Sequence, residues 1–505
     1  MAVRTLPLAV CNSRISSRPI YSRRIRTNRL VHTKSCRVHQ VRAQIGFTSE
    51  PEINVRKNAE DLLRDASTIL LFQSVLKTPV SQNFLKVLLA VSKSTDASKV
   101  AQAYGEFYND MAGKGHSSWL DYLMDRIVAG NDIPLAAALE KGDPHLHLTP
   151  AAAVDLDALQ RLAVAESTLA SWVKDQSYKQ ALQGPWIAAA STLRAGSPET
   201  VGADATLDIF SSAVSPTGGT YLAPPLGEAG RAAWRQHMGG KWRWSDGIED
   251  LMFCYKTYGH GLVGANSVLL WKGGSLKKGT SMDVCEAEPS DHPAHKATLE
   301  VYPQASAALR KNALRHARGL PAAHALVHGA GGPAKNILLH DAALHAARSM
   351  GLRVVLCPPS ELGSWVELAK VLRHHPRARF LVLVDVLGVR EGDNAHVALS
   401  TMLGGAIEPV PSNALIYAAA LDTDTRTEAL LRERMGLNVK LAGLSKEDYL
   451  RCLNIFVEAE SRLAGEDIII SDEEAVAFAT TNIDTEGAYS VQLAQQCVAA
   501  SVLTQ

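Results

Sequence analysis

The chain has 505 residues and a mass of 54.3 kDa, which is more than one compact domain usually holds. With 46% hydrophobic and 20% charged residues, its composition is globular and excludes a disordered or fibrous protein. No apolar run approaches the roughly 20 residues that a membrane-spanning helix needs, so we expect no membrane span. The cysteines form no CxxC pair, which argues against a zinc module or a disulfide framework.

The charge is distributed unevenly along the chain. The formal net charge is +1, but residues 1–44 hold nine arginines and Lys34 and no acidic residue. The remaining residues hold 42 basic and 51 acidic side chains, a net charge of −9. Because an acidic body repels phosphates, nucleic acid is not indicated as a partner.

Residues 1–44 have the composition of an organelle import signal, being rich in arginine and hydroxylated residues and free of acids. The step Val41-Arg42-Ala43 is similar to a stromal cleavage site. We therefore predict a transit peptide at 1–44 and a location in the chloroplast stroma. A mitochondrial signal of the same composition is the alternative, and a basic arm that binds nucleic acid is another.

Residue patterns divide the rest of the chain into five segments. The first has helical i, i+3, i+4 spacing, including one helix of about two dozen residues from Thr149-Pro150 to Trp172. A segment rich in Gly, Ser, Pro and Thr follows, then an aromatic-rich one whose tryptophans and tyrosines we expect to pack rather than stack on nucleobases. The predicted segments are a helical N-terminal domain at 54–193, a linker at 194–229, a connecting segment at 230–319, an α/β domain at 320–443 and a helical lid at 444–505.

Apolar strands alternate with amphipathic helices after residue 320, which predicts a parallel sheet covered on both faces. The lid helices begin with capping boxes, Ser445-x-x-Asp448 and Ser471-x-x-Glu474. The predicted strands are Ala325–His328, Arg353–Cys357, Phe380–Asp385, Ala414–Ala420 and Val439–Ala442.

The turn after the first of these strands carries the strongest chemical signal. A strand, a glycine-rich turn and a helix N-terminus place backbone N–H groups and the helix dipole where a phosphate can bind. The spacing matches the P-loop G-x-x-x-x-G-K-[ST], with Lys335 in the lysine position. The candidate nucleotide-binding residues are Gly329, Gly331, Gly332, Lys335 and Asn336.

The match to the P-loop is imperfect at three positions. Ala334 replaces the second glycine and puts a Cβ where the backbone would approach phosphate. Asn336 replaces the hydroxyl that would bind Mg²⁺. Pro333 has no N–H, so one donor of the cradle is missing. We therefore expect ATP and Mg²⁺ to bind weakly if they bind at all.

The same turn also satisfies the dinucleotide fingerprint, as Gly329-x-Gly331-x-x-Ala334. That site needs an acidic residue at the end of the second strand, where this chain has Leu356-Cys357-Pro358, and Glu361 comes only later. A third possibility is a turn that binds nothing.

The strand Phe380–Asp385 has the form of a Walker B strand, whose aspartate orders Mg²⁺ and water. Asp385 is therefore a candidate catalytic residue. A hydrolase of this class has a further acidic residue directly after it, but Val386 is there, and Glu391 and Asp393 follow in a loop.

With these motifs in order, the chain resembles a bacterial and plastid group of uncharacterised AAA+-type P-loop ATPases over roughly residues 100–500. The resemblance implies a P-loop NTPase-like parallel sheet, an all-helical region before it and a small helical lid after it. It also implies that Arg434 is the arginine finger. The blocks that carry the resemblance are Ala325–Asn336, Phe380–Asp393, Gly404–Tyr417 with Leu415-Ile416-Tyr417-Ala418 as the sensor strand, and Arg432–Leu437.

The chain departs from that family at both sensors. Ala419-Ala420-Leu421 replaces the polar residues of the sensor strand, and Thr485-Glu486-Gly487-Ala488 has no arginine in the second sensor. Together with the changed P-loop, the missing hydroxyl and the missing base, five positions have lost their chemistry. This favours a non-hydrolysing scaffold or regulatory module with protein partners in a homo- or hetero-oligomer. An active ATP-dependent remodelling enzyme and an NAD(P)-dependent oxidoreductase are the alternatives.

Two histidine clusters have spacings that a metal ion can use: His145 with His147, and Asp291 with His292 and His295. Both lie beside prolines with no third ligand in the sequence context, so we predict solvated loop histidines and no metal site. Cys357, at a strand end, is predicted to be a buried apolar residue rather than a nucleophile.

Overall fold

A computed structural model describes most of the chain from Val55 onward. No described helix is long and apolar enough to cross a membrane. The described residues are 55–94, 96–116, 118–142, 147–178, 221–279, 292–329, 332–386, 393–404, 409–420, 426–482 and 489–504. The predicted transit peptide and most of the predicted linker lie outside them.

The first described part is entirely helical, as the periodicity predicts. Its apolar stripes meet in one core, where the Phe84 and Trp119 rings stack with centroids 4.3 Å apart. The helices are α1 (Val55–Thr68), α2 (Gln73–Leu76), α3 (Pro79–Lys93), α4 (Ala97–Gly113), α5 (Trp119–Ala129), α6 (Pro134–Lys141), α7 (Thr149–Leu162) and α8 (Glu166–Tyr178).

The prediction of one long helix from Thr149 to Trp172 is wrong, because α7 ends at Leu162 and α8 begins at Glu166. The indole Nε1 of Trp119 donates a hydrogen bond to the carbonyl of Leu162 at 2.9 Å. The backbone N–H of Trp119 donates to the Glu166 carboxylate. A tertiary contact therefore satisfies the groups at the break, and helical periodicity across it gives no sign of this.

The aromatic-rich segment folds into helices and one hairpin. Most of its aromatic residues are buried in the core, as expected, and Trp242 alone among its described tryptophans is exposed. The elements are α9 (Glu228–Gly239), a 3₁₀ turn (Trp244–Gly247), α10 (Ile248–Tyr258), α11 (Gly261–Ala265), β1 (Val268–Lys272), β2 (Ser275–Lys278), α12 (Pro293–Val301) and α13 (Pro303–Ala317).

The five strands predicted after residue 320 are all present, with ends shifted by at most two residues. They join the hairpin in one seven-stranded sheet of order β2-β1-β4-β5-β6-β3-β7, in which only β2 runs antiparallel to its neighbour. The strands are β3 (Ala325–Gly329), β4 (Arg353–Cys357), β5 (Phe380–Asp385), β6 (Ala414–Ala419) and β7 (Leu437–Leu441).

Helices cover both faces of this sheet. Along β5, Leu381 and Leu383 belong to one apolar core while Phe380, Val382 and Val384 belong to the other, as the two-residue strand period requires. The predicted α/β fold, a largely parallel sheet covered by helices on both faces, is therefore present. The helices after β3, β4, β5 and β6 are α14 (Ala334–Met350), α15 (Trp365–Arg373, preceded by a 3₁₀ turn at Pro359–Ser364), α16 (Asn394–Gly404) and α17 (Arg426–Arg434).

A buried arginine joins the connecting segment to the sheet. Arg353, the first residue of β4, has no exposed surface. Burial lowers the pKa of its guanidinium to about 9, so the group stays protonated at neutral pH. Its nitrogens donate to four backbone carbonyl oxygens, those of Ala223, Tyr258, Val263 and Gly351.

The described lid consists of three helices that share one apolar core with α12. The predicted capping box at Ser471 is complete, since Ser471 and Glu474 bond each other's backbone N–H groups. At Ser445 only the N-cap bond is present: its Oγ accepts from the Asp448 N–H at 3.1 Å, and the Asp448 carboxylate accepts from the serine hydroxyl. The lid helices are α18 (Lys446–Ala464), α19 (Asp472–Asn482) and α20 (Val491–Thr504).

A buried carboxylate on α14 binds α12 and α13, the two helices that precede β3. Asp341 accepts two hydrogen bonds of 2.6 Å from Arg310 of α13, and it lies 3.3 Å from His295 Nε2 of α12. Burial by itself would raise the pKa of Asp341. The hydrogen bonds and charges of His295 and Arg310 outweigh burial and lower that pKa to about 2.

We expect Asp341→Asn to lower the free energy of unfolding by about 2–4 kcal/mol, because it leaves Arg310 without its buried counter-charge. The folded pKa of about 2 lies below the unfolded value of about 3.9, so the stabilisation is complete above pH 4. It is lost as the pH falls from about 4 to 2. Urea unfolding across this range measures the difference.

Asp467→Asn, at an exposed carboxylate after α18, is the matched control and should change stability by less than about 0.5 kcal/mol. If Asp341→Asn lowers the free energy of unfolding equally at pH 7 and pH 2, the Asp341 carboxylate does not have the lowered pKa described above.

Candidate functional site

The turn after β3 is built on a glycine that no other residue can replace. Gly329 has a φ of +100°, a backbone conformation that residues with a side chain rarely adopt. A Cβ here would lie 2.4 Å from the carbonyl oxygen of Leu441 on the neighbouring strand β7. The chain therefore turns sharply at the carboxyl end of the sheet and leads into α14.

The rest of the turn touches the lid. Gly332 also has a positive φ, +47°, and a Cβ on it would lie 2.9 Å from Gln492 Oε1 in the first turn of α20. Pro333 precedes α14, and its carbonyl accepts from the Ile337 N–H at 3.1 Å. Ala334, the first residue of α14, is buried in the core beneath the sheet. Gly331 lies outside the described residues.

Lys335 is only 2% exposed, which is unusual for a lysine. Its Nζ donates to the carbonyl of Gly329 at 2.7 Å. The ammonium group therefore lies under the turn and bonds to its backbone.

Asn336 and Asp385 meet at the end of β5. The amide Nδ2 of Asn336 donates to Asp385 Oδ2 at 3.3 Å, and the carboxylate is partly exposed. In the P-loop interpretation of the sequence, both positions belong to the Mg²⁺ site, and the structure brings them together. The amide makes this contact, where a hydroxyl would have offered an oxygen to a cation.

The position after Asp385 offers no general base. Val386 is buried, and its backbone N–H donates to the Ala419 carbonyl, so it continues the sheet. Asp393 immediately precedes α16, and its carbonyl accepts from the Val397 N–H. Glu391 lies outside the described residues.

The predicted sensor strand is β6, and its end is apolar. Ala419 and Ala420 are both buried, and the hydroxyl of Tyr417 donates to the Leu309 carbonyl at 2.9 Å, within the core. The second sensor segment, Thr485–Ala488, lies outside the described residues.

Arg434 ends α17, and its side chain is 46% exposed. Its Nε lies 3.5 Å from the carboxylate of the adjacent Glu433. Among the hydrogen bonds and ion pairs of the described residues, none joins Arg434 to the turn or to Asp385.

The order of the strands argues against a dinucleotide site. In the dinucleotide-binding fold the strand before the glycine turn lies beside the second strand, whose end holds the ribose. Here β6 and β7 flank β3, while β5 and β6 separate β3 from β4. The end of β4 holds Cys357, whose pKa is raised to about 12, mainly by burial, which suits the predicted apolar residue and not a nucleophile.

One of the predicted solvated histidines is not solvated. His295 is buried within α12, beside Asp341, because Pro293 opens a helix there rather than a loop. His147 and His292 are exposed, as predicted, and His145 and Asp291 lie outside the described residues.

Sequence reasoning missed a second polar cluster, formed by Glu140, His260 and His375. The Glu140 carboxylate lies 2.7 Å from His260 Nε2 and 2.9 Å from His375 Nδ1. Burial acts to raise the pKa of Glu140, but the close contacts of the two imidazoles and their charges lower it to about 2. The three residues are more than 100 positions apart along the chain, and no local spacing signals them.

We expect Gly329→Ala to destabilise the protein by at least about 1–3 kcal/mol, because alanine must adopt a strained φ and its methyl group meets Leu441. Chemical denaturation measures the loss. Gly113→Ala is the control, since Gly113 ends α4 without a positive φ and with open space around its Cα. Equal stabilities of the two variants would contradict the packing of the turn against β7.

Part of the chain matches a known family of sequences. Residues 270–427, from β1 to the start of α17, match the model of a family described as "Protein of unknown function (DUF815)". The matched segment includes the turn, Lys335, Asn336 and Asp385. No curated protein matches the chain.

Several solved structures are similar to part of the chain. The Holliday junction branch migration motor RuvB of Thermotoga maritima is 14% identical, covering 41% of this chain and 68% of that chain, with a TM-score of 0.25. PCH-2 of C. elegans is 14% identical, with coverages of 40% and 68% and a TM-score of 0.24. A chain of the HORMA:CdnC:Trip13 complex of E. coli MS115-1 is 14% identical, covering 42% of this chain and 87% of that chain, with a TM-score of 0.23. At these scores the likenesses carry no argument about activity.

Proposed function

We propose that this protein is a non-hydrolysing scaffold or regulatory module, in which an AAA+-like P-loop fold keeps its shape but has lost its nucleotide chemistry. The observation that carries the proposal is the contact between Asn336 and Asp385. In an active site the corresponding hydroxyl and carboxylate act together on Mg²⁺. Here the Asn336 amide directs its N–H at the carboxylate, so its carbonyl oxygen could bind a cation only if the amide turned over and gave up this bond.

The phosphate side of the turn supports the same proposal. Pro333 has no N–H to offer. The Ala334 methyl group, expected to obstruct phosphate, is instead buried in the core, so it adds nothing to this argument. Lys335 already bonds to the Gly329 carbonyl, so a phosphate has to compete with that bond. The described residues of the site therefore do not fit Mg-ATP well.

An active ATPase is the second candidate, because three charged residues of an active site are retained. Lys335 lies under the turn, Asp385 ends β5, and the half-exposed Arg434 is available to a neighbouring copy of the chain. Such a trans arrangement would need an oligomer, and we propose protein partners or self-association for the scaffold as well.

We expect purified protein to hydrolyse ATP no faster than its Lys335→Ala variant. Phosphoryl transfer depends on positioning and on charge stabilisation, and the groups for both are depleted here. Phosphate release at saturating Mg-ATP measures the rates. Lys311→Ala, at an exposed lysine of α13, controls for loss of surface charge. ATP turnover that Lys335→Ala abolishes and Lys311→Ala preserves would establish that the protein is an active ATPase.

Restoring the motif is the complementary arm of this experiment. Wild-type protein should gain no more than about 0.5 kcal/mol of stability from millimolar Mg-ATP. The triple variant Pro333→Gly, Ala334→Gly, Asn336→Thr should show a clear thermal shift that a further Lys335→Ala removes. A large thermal shift of the wild type with Mg-ATP would contradict the proposal that the nucleotide site is degenerate. A folded triple variant without a shift would show that the turn is no remnant of a P-loop.

We also propose that the protein works in the plastid stroma, on the composition of residues 1–44. A fluorescent protein fused behind residues 1–50 should enter plastids and lose about 40–45 residues, as import signals of this kind are removed. Microscopy and the mass of the imported product test this. Mitochondrial fluorescence would select the alternative organelle, and cytosolic or nuclear fluorescence would refute an import signal.

A further inference from the structure

A cluster of one buried glutamate and two partly buried histidines lies where the helical region meets the α/β domain. Glu140 belongs to α6, His260 lies between α10 and α11, and His375 follows α15. Each side chain offers one ligand atom, and these atoms all lie within 4.8 Å of one another. Three separate segments of the fold thus direct metal-ligating atoms at one point.

Both histidines lie close to Glu140, but only His375 forms hydrogen bonds with it. His375 Nδ1 makes well-formed contacts of 2.9 and 3.0 Å with both oxygens of Glu140. His260 Nε2 is 2.7 Å from Glu140 Oε2, yet neither ring nitrogen of His260 has a hydrogen bond of acceptable geometry, and both are shielded from solvent. Buried polar atoms in native proteins are rarely left in this condition without a ligand or an ion.

We infer that Glu140, His260 and His375 bind one divalent transition-metal ion of the Zn²⁺ class. Two imidazoles and one carboxylate form a ligand set that such ions favour. Tetrahedral ligands about 2.0–2.1 Å from the ion lie roughly 3.3 Å from one another. The short contacts to Glu140 therefore need to open by only about 0.5 Å, which side-chain rotation supplies.

A cleft gives access to the cluster. The cleft has a volume of about 810 Å³, and its wall includes both His260 and His375. A three-residue set leaves at least one coordination position, which water or a small ligand from the cleft can fill. The polar and charged residues around the opening include Lys77, Arg126, Asn131 and Asp132.

Nearby positive charge weakens the affinity but does not occupy the ligand atoms. The Arg353 guanidinium feels the charge of Glu140, but its hydrogen bonds go to backbone carbonyls. Arg377 also feels the charge of Glu140. A bound ion would join α6 to the ends of α10 and α15, so binding should stabilise the junction of the two regions.

The test is a titration of the chelator-treated full chain with Zn²⁺ by calorimetry, and with Co²⁺ by absorbance. We expect one saturable ion per chain, a rise in melting temperature, and Co²⁺ bands of nitrogen and oxygen ligands without a thiolate charge-transfer band. His260→Ala and His375→Ala should each weaken binding by roughly 100-fold or more, and the isosteric Glu140→Gln by at least about tenfold.

His374→Ala is the matched control, since His374 is the exposed neighbour of His375 and its Nδ1 bonds to the Lys370 carbonyl. It should leave the affinity for Zn²⁺ unchanged. If the alanine variants fail to fold, Glu140→Gln and the wild-type Co²⁺ spectrum decide. No saturable binding by the wild type, or equal affinity in Glu140→Gln and His374→Ala, would overturn the site and leave a plain hydrogen-bonded cluster.

Discussion

The junction of the two regions depends on the buried guanidinium of Arg353. A buried cation without acceptors is too costly to keep, so the chain must bring carbonyl oxygens to it. Those oxygens come from the segment before α9, from α10 and from α11, and the strand that follows α11 is β1. Arg353 therefore fixes the connecting segment beside β4. That position lets β1 pair with β4 and so extends the sheet. The same segment carries His260, so the cluster with Glu140 and His375 depends on this anchor too.

The shape of the turn and its capacity to bind phosphate or a cation depend on different atoms. Shape comes from Gly329 against the Leu441 carbonyl, and from Lys335 bonded to the backbone beneath the turn. Chemistry would come from N–H donors and from an oxygen at position 336. Asn336 bonds to Asp385 through its N–H, so this contact stabilises the end of β5 without any bound ion.

The sequence predicts well what repeats locally and poorly what depends on distant contacts. Strands were found because β5 and β6 are apolar runs of strand length, and the lid helices because a capping box is a four-residue signal. The meeting of Asn336 with Asp385 was also predictable, since parallel strands end at one edge of the sheet. The break after Leu162 was not, because the bond that satisfies it comes from Trp119, 43 residues away. His295 was misjudged for the same reason, since its burial is set by Asp341 on another helix.

The two polar sites of the protein therefore differ in how freely they can change. Asn336 can be replaced singly, because both it and its partner Asp385 are partly exposed. Glu140 is 7% exposed, and losing either imidazole leaves a buried carboxylate short of a partner, which costs several kcal/mol. The cluster also joins α6, the α10–α11 turn and the end of α15. A substitution of one of its residues therefore removes contacts from the other two segments. Together with Arg353, the cluster holds the two regions together through contacts in which no residue of the turn after β3 takes part.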